Sequence, residues 1–238
     1  MGYYYGIDLT YIILVLPAVL FSMWASAHVN GTYKKYSQYR NRRGITAEAA
    51  SRYILDRSGL QHIRIEHVSG ELTDHYDPTA QVIRLSDSVY GSTSIAAVGV
   101  ACHETGHAIQ HAENYTPVKI RTAIVPITNI GAKLSVPLII IGLVLASLGE
   151  VFVYIAYAGV ACYALCLVFQ LVTLPTEFDA SRRALSCIRE TNLLVGDEYD
   201  GAKKVLTAAA LTYVAALAVT LMQLLRFIIL ISGSRNRD

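Results

Sequence analysis

An uncharged segment, residues 151–174, limits the fold of this chain more than any other feature. A helix of about 20 apolar residues crosses the hydrocarbon core of a bilayer. The composition agrees, because only 16% of the 238 residues are charged, against about 25% in soluble domains. The charged residues are also unevenly distributed along the chain. We therefore expect a mainly α integral membrane protein and not a soluble globule.

Three further segments are apolar enough to be spans: residues 7–27, 134–148 and 205–231. The second is short, so its span is expected to begin earlier, with residues 117–133 forming either its lower end or an interfacial segment. Gly149-Glu150 then makes a tight connection to the span of residues 151–174, which Pro175 is expected to end. The pattern predicts four transmembrane helices, of which the middle two form a hairpin.

The charges around the first span predict its orientation. Residues 1–6 contain no Lys or Arg, whereas five basic residues follow the span: Lys34, Lys35, Arg40, Arg42 and Arg43. The positive-inside rule places the N-terminus outside and this basic segment in the cytoplasm. A cleaved signal peptide is the alternative, because Ala25-Ser26-Ala27 resembles a cleavage site. The uncharged N-terminal flank favours an uncleaved anchor.

Residues 29–116 have soluble character and are expected to form a small α+β lobe. Thr46 is the expected cap of a helix that ends before Gly59. The run Ser92-Thr93-Ser94 supplies caps for a second helix, from about residue 95 to 112, whose first two turns are apolar on every side and should be buried. Three short segments between these helices predict a small antiparallel sheet: residues 61–68, 71–76 and 81–86.

The second of these helices carries the pattern His103-Glu104-x-x-His107. Four helical residues turn about 400° and rise about 6 Å, so both imidazoles project from one face and can hold one ion. Neutral imidazoles suit Zn²⁺, which lowers the pKa of its bound water toward about 7. Glu104 can reach the position of that water. The pattern therefore predicts a zinc hydrolase in which Glu104 is the general base.

Catalytic zinc usually takes three protein ligands. His111 is on the same helix, but histidines at i, i+4 and i+8 span about 12 Å and cannot converge on one ion. Glu177 is the better candidate, because two predicted spans separate it from His107 and an even number of crossings returns the chain to the same side. Cys102 points about 100° away from His103, so we expect it to be a core residue.

Thr176 is expected to cap a new helix that carries Glu177 in its first turn. On such a helix Asp179 points about 200° away from Glu177, so the two carboxylates cannot share the ion. Asp179 is instead expected to pair with Arg183, four residues later.

These expectations divide the chain into five parts. They are a transmembrane anchor (1–28), a cytoplasmic lobe with the sheet and the zinc-motif helix (29–116), an interfacial segment with the transmembrane hairpin (117–174), a cytoplasmic helix with the third ligand (175–204), and a C-terminal transmembrane helix with its tail (205–238).

Three motifs make the chain resemble the YugP-type neutral zinc metallopeptidases of bacterial membranes: His-Glu-Thr-Gly-His-Ala at 103–108, Pro-Thr-Glu-Phe-Asp-Ala-Ser at 175–181 and Leu-Thr-Asp-His-Tyr-Asp-Pro at 72–78. More distantly it is similar to the gluzincin membrane proteases, including HtpX and the CAAX prenyl proteases. The resemblance implies that His103, His107 and Glu177 bind zinc. Gluzincins commonly place an Asp four residues after the ligand Glu, where this chain has Ser181. A serine hydroxyl can hydrogen-bond a zinc histidine but supplies no negative charge.

The expected activity is hydrolysis of peptide bonds in membrane or unfolded proteins at the cytoplasmic face, with zinc as cofactor and the bilayer and a polypeptide substrate as partners. The substrate is expected to add as a strand to a sheet edge formed by residues 81–86. His75 and Tyr76 are chemically suited to stabilise the oxyanion, although they equally fit a hydrogen-bonded turn. The net charge of +2 gives no indication of a nucleic-acid partner.

Two other classes of function compete with a protease. The first is a zinc-containing membrane adaptor or binding module for another protease, but a structural zinc site has no need of Glu104. The second is a transporter or channel, which would require charged residues along a path through the membrane. The segment 151–174 contains none.

Overall fold

A computed structural model describes residues 9–235, with side chains as far as residue 233. Expectations about residues 1–8 and 236–238, including the start of the first span, lie outside the described residues. The chain divides into two compact units. The helical unit comprises Met1–Ala25, Ile120–Leu174 and Thr212–Asp238, and the α+β unit comprises Ser26–Lys119 and Pro175–Leu211.

Helices dominate the described part of the chain. They are α1 (Leu16–Ser37), α2 (Ala47–Arg57), α3 (Ile95–Ala112), α4 (Thr116–Val144), α5 (Glu150–Glu190) and α6 (Asp197–Arg235). A π-helical turn, Tyr11–Val15, precedes α1, and a 3-10 turn, Ala146–Leu148, precedes α5. The strands are β1 (Arg64–His67), β2 (His75–Asp77) and β3 (Val82–Leu85).

Four helices are long and apolar enough to cross a membrane: Tyr11–Ser37, Thr116–Val144, Glu150–Glu190 and Asp197–Gly233. Within the helical unit, aliphatic side chains such as Ile140, Val144 and Val151 are exposed at the surface. Exposed aliphatic side chains of this kind are expected where lipid replaces water as the solvent. The prediction of four long apolar helices is confirmed.

The predicted hairpin is present as a close pairing of α4 and α5 within the helical unit. A β-carbon on Gly142 would overlap the backbone of Ala156, and one on Gly159 would lie 2.7 Å from the Ser135 carbonyl oxygen. Small residues allow membrane helices to approach until their backbones touch, where packing forces hold them together.

The predicted helix break at Pro175 is wrong, because α5 continues through this residue to Glu190. Thr176 is therefore an interior residue of α5 and not the cap of a new helix. A proline removes one backbone hydrogen bond, and long apolar helices tolerate that loss when the flanking turns are well packed. For the same reason Pro126 and Pro137 lie inside α4, and residues 117–133 belong to that helix.

Two other helices extend beyond the predicted spans. The first continues past residue 27 to Ser37 and includes Lys34 and Lys35 in its last turn. The last begins at Asp197, eight residues before the apolar segment, and has three acidic residues in its first turn: Asp197, Glu198 and Asp200. Basic residues near a helix C-terminus and acidic residues near an N-terminus interact favourably with the helix dipole.

The sheet is mixed, so the prediction of an antiparallel sheet is wrong. Strand β3 is central, and it pairs in parallel with β1 and antiparallel with β2. The register aligns Ile65 and Tyr76 with Ile83 from opposite sides. Residues 81–86 consequently cannot form the free edge that we expected. Alternation of apolar residues shows which side of a strand is buried but does not show which strand lies next to it.

Helix α3 lies in the core of the α+β unit and contacts α2, β2 and β3. Its observed bounds agree with the prediction, and the Ser94 hydroxyl accepts a hydrogen bond from the Ala97 amide at 3.1 Å. The Thr105 hydroxyl lies 3.1 Å from Ser51 Oγ on α2. The core around α3 consists mainly of aliphatic residues, including Ile54, Leu55, Ile83, Leu85, Val98 and Ala101.

Candidate metal centre

Two helices of the α+β unit bring three ligand-type side chains together. The rings of His103 and His107 leave α3 on one face, with centroids 4.7 Å apart. Glu177 on α5 places Oε2 3.3 Å from His103 Nε2 and 3.4 Å from His107 Nε2. All three ligand atoms lie within 4.8 Å of one another. The residues selected from the sequence as zinc ligands therefore form one cluster.

The spacing of these atoms suits a tetrahedral ion. Zinc bonds to nitrogen and oxygen are about 2.0–2.1 Å long, so two ligands at a tetrahedral angle are about 3.3 Å apart. The separations from Glu177 Oε2 to the two imidazole nitrogens match this value. Two imidazoles and one carboxylate are also a donor set that catalytic zinc sites use. The residues present therefore fit zinc.

A backbone contact brings α5 close enough for Glu177 to reach α3. Gly106, between the two histidines, faces Ala180, and a β-carbon on Gly106 would lie 3.1 Å from the Ala180 carbonyl carbon and closer still to its oxygen. Only a glycine permits this approach without displacing one helix. The requirement for glycine at this position was not predicted from the sequence.

Burial and charge together control the protonation of the cluster. Glu177 is 3% exposed and lies beyond the apolar segment that ends at Leu174. Burial raises the pKa of its carboxyl, but hydrogen bonds from His103 and His107 overcome this effect and hold that pKa well below its usual range. Burial lowers the pKa of His107, yet the Glu177 contact and the charge of Glu104 leave it above the usual value. A bound cation would interact favourably with these two carboxylates.

The Nδ1 atom of each imidazole, which is not the nitrogen nearest Glu177, also has a partner. Ser181 Oγ lies 3.1 Å from His103 Nδ1, which is the contact that the serine hydroxyl was expected to be able to make. Gln110 Oε1 lies 3.0 Å from His107 Nδ1. Such contacts orient the rings of metal-binding histidines. Gln110 was missed by the sequence analysis, although it follows His107 by three residues on the same helix and could have been found from that spacing.

Asp179 lies close to this cluster without entering it. Its Oδ2 accepts hydrogen bonds from Arg183 Nε at 2.5 Å and from Gln110 Nε2 at 2.9 Å, and its Oδ1 accepts one from Arg182. The predicted pairing with Arg183 is present. The contact with Gln110 could not be foreseen, because it joins residues on different helices.

The other candidates lie outside the cluster. His111 is one turn beyond His107, where its ring packs against Tyr76 of β2 with the centroids 5.4 Å apart. Cys102 is fully buried, and burial raises the pKa of its thiol well above the usual range. A thiol that resists deprotonation is a poor metal ligand. Cys102 is thus a core residue, as expected.

Glu104 is 8% exposed and close enough to His107 for its charge to affect that imidazole. A carboxylate beside two imidazoles and a third ligand is the arrangement of a zinc hydrolase. Here that arrangement occurs in a chain with four helices long and apolar enough to cross a membrane. Fold and site together define the class of zinc hydrolases associated with membranes.

Comparison with known proteins narrows this class to one family. A protein family described as "Putative neutral zinc metallopeptidase" matches residues 11–232, so the chain belongs to that family. It is 41% identical over 228 residues to the "Putative membrane protease YugP" of Bacillus subtilis (strain 168), with 96% of this chain and 99% of that protein covered. No solved structure matches the chain. The resemblance inferred from the motifs is confirmed, and zinc is the metal of the family.

Proposed function

We propose that this chain is a membrane-embedded zinc metalloendopeptidase that hydrolyses peptide bonds of membrane or unfolded proteins at the cytoplasmic face. The observation that carries the proposal is the convergence of Glu177 on His103 and His107 at tetrahedral ligand distances. Family membership and the name of the Bacillus relative support the same reaction.

The roles of the side chains follow from their chemistry. His103, His107 and Glu177 would hold the ion through the Nε2 atoms of the two imidazoles and Oε2 of the carboxylate. Zinc, when bound, supplies a Lewis acid that polarises a carbonyl and lowers the pKa of a water. The Glu104 carboxylate accepts a proton from the attacking water as the new carbon–oxygen bond forms. It then returns that proton to the leaving amine as the carbon–nitrogen bond breaks.

The substrate would bind along β2 rather than along residues 81–86. β2 contacts α3, and it pairs with β3 on one side only within residues 9–235. An extended peptide can add to such an edge through backbone hydrogen bonds, which accept many sequences. Tyr76, half-buried on β2 beside His111, remains a candidate for oxyanion stabilisation.

The cytoplasmic location is supported by charge. The five basic residues that follow the first span belong to the α+β unit, which also contains the three ligands. The positive-inside rule favours the cytoplasm for such a unit. An added cysteine at the exposed position 71 of a functional variant tests this placement. A membrane-impermeant maleimide should label it in spheroplasts only after they are permeabilised, and labelling of intact spheroplasts would contradict the assignment.

Cleavage of unfolded casein by the purified protein in detergent tests the activity. Glu104→Gln should retain zinc and lose at least about 100-fold in rate, because the amide cannot accept the proton. Glu71→Gln, an exposed carboxylate of the same unit, should cleave as the wild type does. Equal rates for Glu104→Gln and wild type would disprove the general-base role. A wild type that binds zinc but cleaves no unfolded protein would instead favour the adaptor function.

A further inference from the structure

The two imidazoles of the metal centre are held by partners of different kinds. The Ser181 hydroxyl can either donate to His103 Nδ1 or accept from it, so this contact alone does not set the tautomer of the ring. The side chain of Gln110 beside His107 is an amide, whose oxygen only accepts and whose nitrogen only donates. The orientation of this amide therefore determines whether His107 Nδ1 must carry a proton.

The surroundings of Gln110 determine its orientation. Gln110 Nε2 lies 2.8 Å from the Thr176 carbonyl oxygen and 2.9 Å from Asp179 Oδ2. Both of these atoms are acceptors, so the NH₂ group must face them and the amide oxygen must face His107. The opposite orientation would place the amide oxygen against both of these acceptor oxygens in a buried site. Neither acceptor would then receive a hydrogen bond from Gln110, which is unfavourable.

This orientation has a direct consequence for His107. Because Gln110 Oε1 can only accept, a proton on His107 Nδ1 must be the donor of this hydrogen bond. The other nitrogen, Nε2, faces Glu177 Oε2 and is the one left for an ion. The contact with Gln110 thus selects Nε2 as the nitrogen of His107 that can bind a metal.

Asp179 adds negative charge to the same hydrogen-bond chain. It is 5% exposed, while Gln110 and Thr176 are fully buried. In a buried network each hydrogen bond polarises the next, so a carboxylate on the NH₂ group makes the amide oxygen a stronger acceptor. Arg182 and Arg183 hold the carboxylate in place.

We propose that Gln110 is the positioning residue of His107 and that it relays the charge of Asp179 to this imidazole. Negative charge would thereby reach the centre at His107, whereas the Ser181 hydroxyl beside His103 supplies none. The inference rests on the proposed metal site, but the proton on His107 Nδ1 can be detected without any metal.

Zinc affinity provides the first test. Gln110→Met has nearly the same length as the wild-type side chain but forms none of its hydrogen bonds, and it should weaken zinc binding by about 10–100-fold in competition with a chelator. Asp179→Asn keeps Gln110 and should produce a smaller loss in the same direction. Thr105→Val is the matched control, because it also removes a buried hydrogen bond of α3, on the side that faces Ser51. It should leave zinc affinity within about twofold of wild type.

Nitrogen NMR of ¹⁵N-histidine-labelled, metal-free protein provides the second test. The Nδ1 of His107 should carry a proton in wild type and in Thr105→Val, whereas Gln110→Met should reduce the protonated fraction of Nδ1 at the same pH. If Gln110→Met does not fold, Asp179→Asn still has to weaken zinc binding. Unchanged zinc affinity in the variants, or a wild-type His107 that carries no proton on Nδ1, would overturn the proposal. A wild type without zinc affinity would refute the metal site alone.

Discussion

Gly106 and Ala180 are in backbone contact, and this contact determines whether the two halves of the candidate metal centre meet. A β-carbon on Gly106 would overlap the Ala180 carbonyl oxygen. His107 is the next residue on α3, and Glu177 precedes Ala180 by three residues on α5. Any displacement at the contact is therefore transmitted directly to the separation of Glu177 from the histidines.

Gly106→Ala should lower both the stability of the protein and its affinity for zinc. The added methyl has to push α3 and α5 apart, and overpacking of this kind costs about 1–3 kcal/mol. We expect the apparent melting temperature in detergent to fall by about 2–12 °C. Zinc affinity should fall by at least about tenfold, since ligand geometry is sensitive to small shifts.

Gly99→Ala on the same helix is the control. Its β-carbon would meet the Ala202 methyl at 3.4 Å, which is an ordinary contact. Alanine is favoured over glycine inside a helix by about 0.5–1 kcal/mol, so this variant should be as stable as wild type or slightly more stable. Equal melting temperatures and equal zinc affinities in Gly106→Ala and Gly99→Ala would show that the α3–α5 contact is not tight.

Glu177→Ala should remove the third ligand. Metal analysis after dialysis should show about one zinc per chain in wild type and a small fraction of that in the variant, because two imidazoles alone bind zinc weakly. Glu190→Ala changes an exposed carboxylate near the end of the same helix and should retain the wild-type zinc content. An unchanged stoichiometry in Glu177→Ala would remove this residue from the ligand set.

Substitutions of Ser181 test how the group next to His103 Nδ1 contributes to zinc affinity. Ser181→Ala removes the hydroxyl next to Nδ1 and should weaken zinc binding by about tenfold. Ser181→Asp introduces a carboxylate next to Nδ1 and should strengthen zinc binding relative to wild type. Chelator competition measures both effects. Stronger binding by Ser181→Ala than by wild type would mean that the hydroxyl does not support the ring.

The β2–β3 hairpin should lose stability in acid through Asp77. Hydrogen bonds from the Ala80 amide and from Arg84 hold the pKa of this carboxyl below its usual value. A depressed pKa in the folded state adds stability above the unfolded pKa of about 3.9, and that stability is lost as the pH falls through the folded value. Asp77→Asn preserves the acceptor for the turn amides but removes the charge.

Melting curves of wild type and Asp77→Asn should therefore differ most at neutral pH, with wild type more stable. The difference should shrink as the pH falls below about 4. A difference that persists unchanged to pH about 3 would show that the charge of Asp77 contributes nothing to the hairpin.

Local patterns in the sequence were sufficient to predict several parts of this structure. The bounds of α3 follow from its Ser94 cap and its apolar first turns, and the shared face of His103 and His107 follows from helical geometry. The four long apolar helices follow from segment length and composition. These features depend on residues within one or two turns of each other, or on composition alone, so they can be evaluated without knowledge of the rest of the fold.

Other features depended on contacts between distant segments, and only the tertiary structure determined them. The parallel pairing of β1 with β3 and the continuation of α5 through Pro175 both reflect packing against elements elsewhere in the chain. Gln110 and Asp179, 69 residues apart, meet because Gly106 lets α5 approach α3. The sequence was enough to nominate the three ligands. The tertiary structure decided how they are held, because the groups that orient an imidazole are selected by their position in space and not by their distance along the chain.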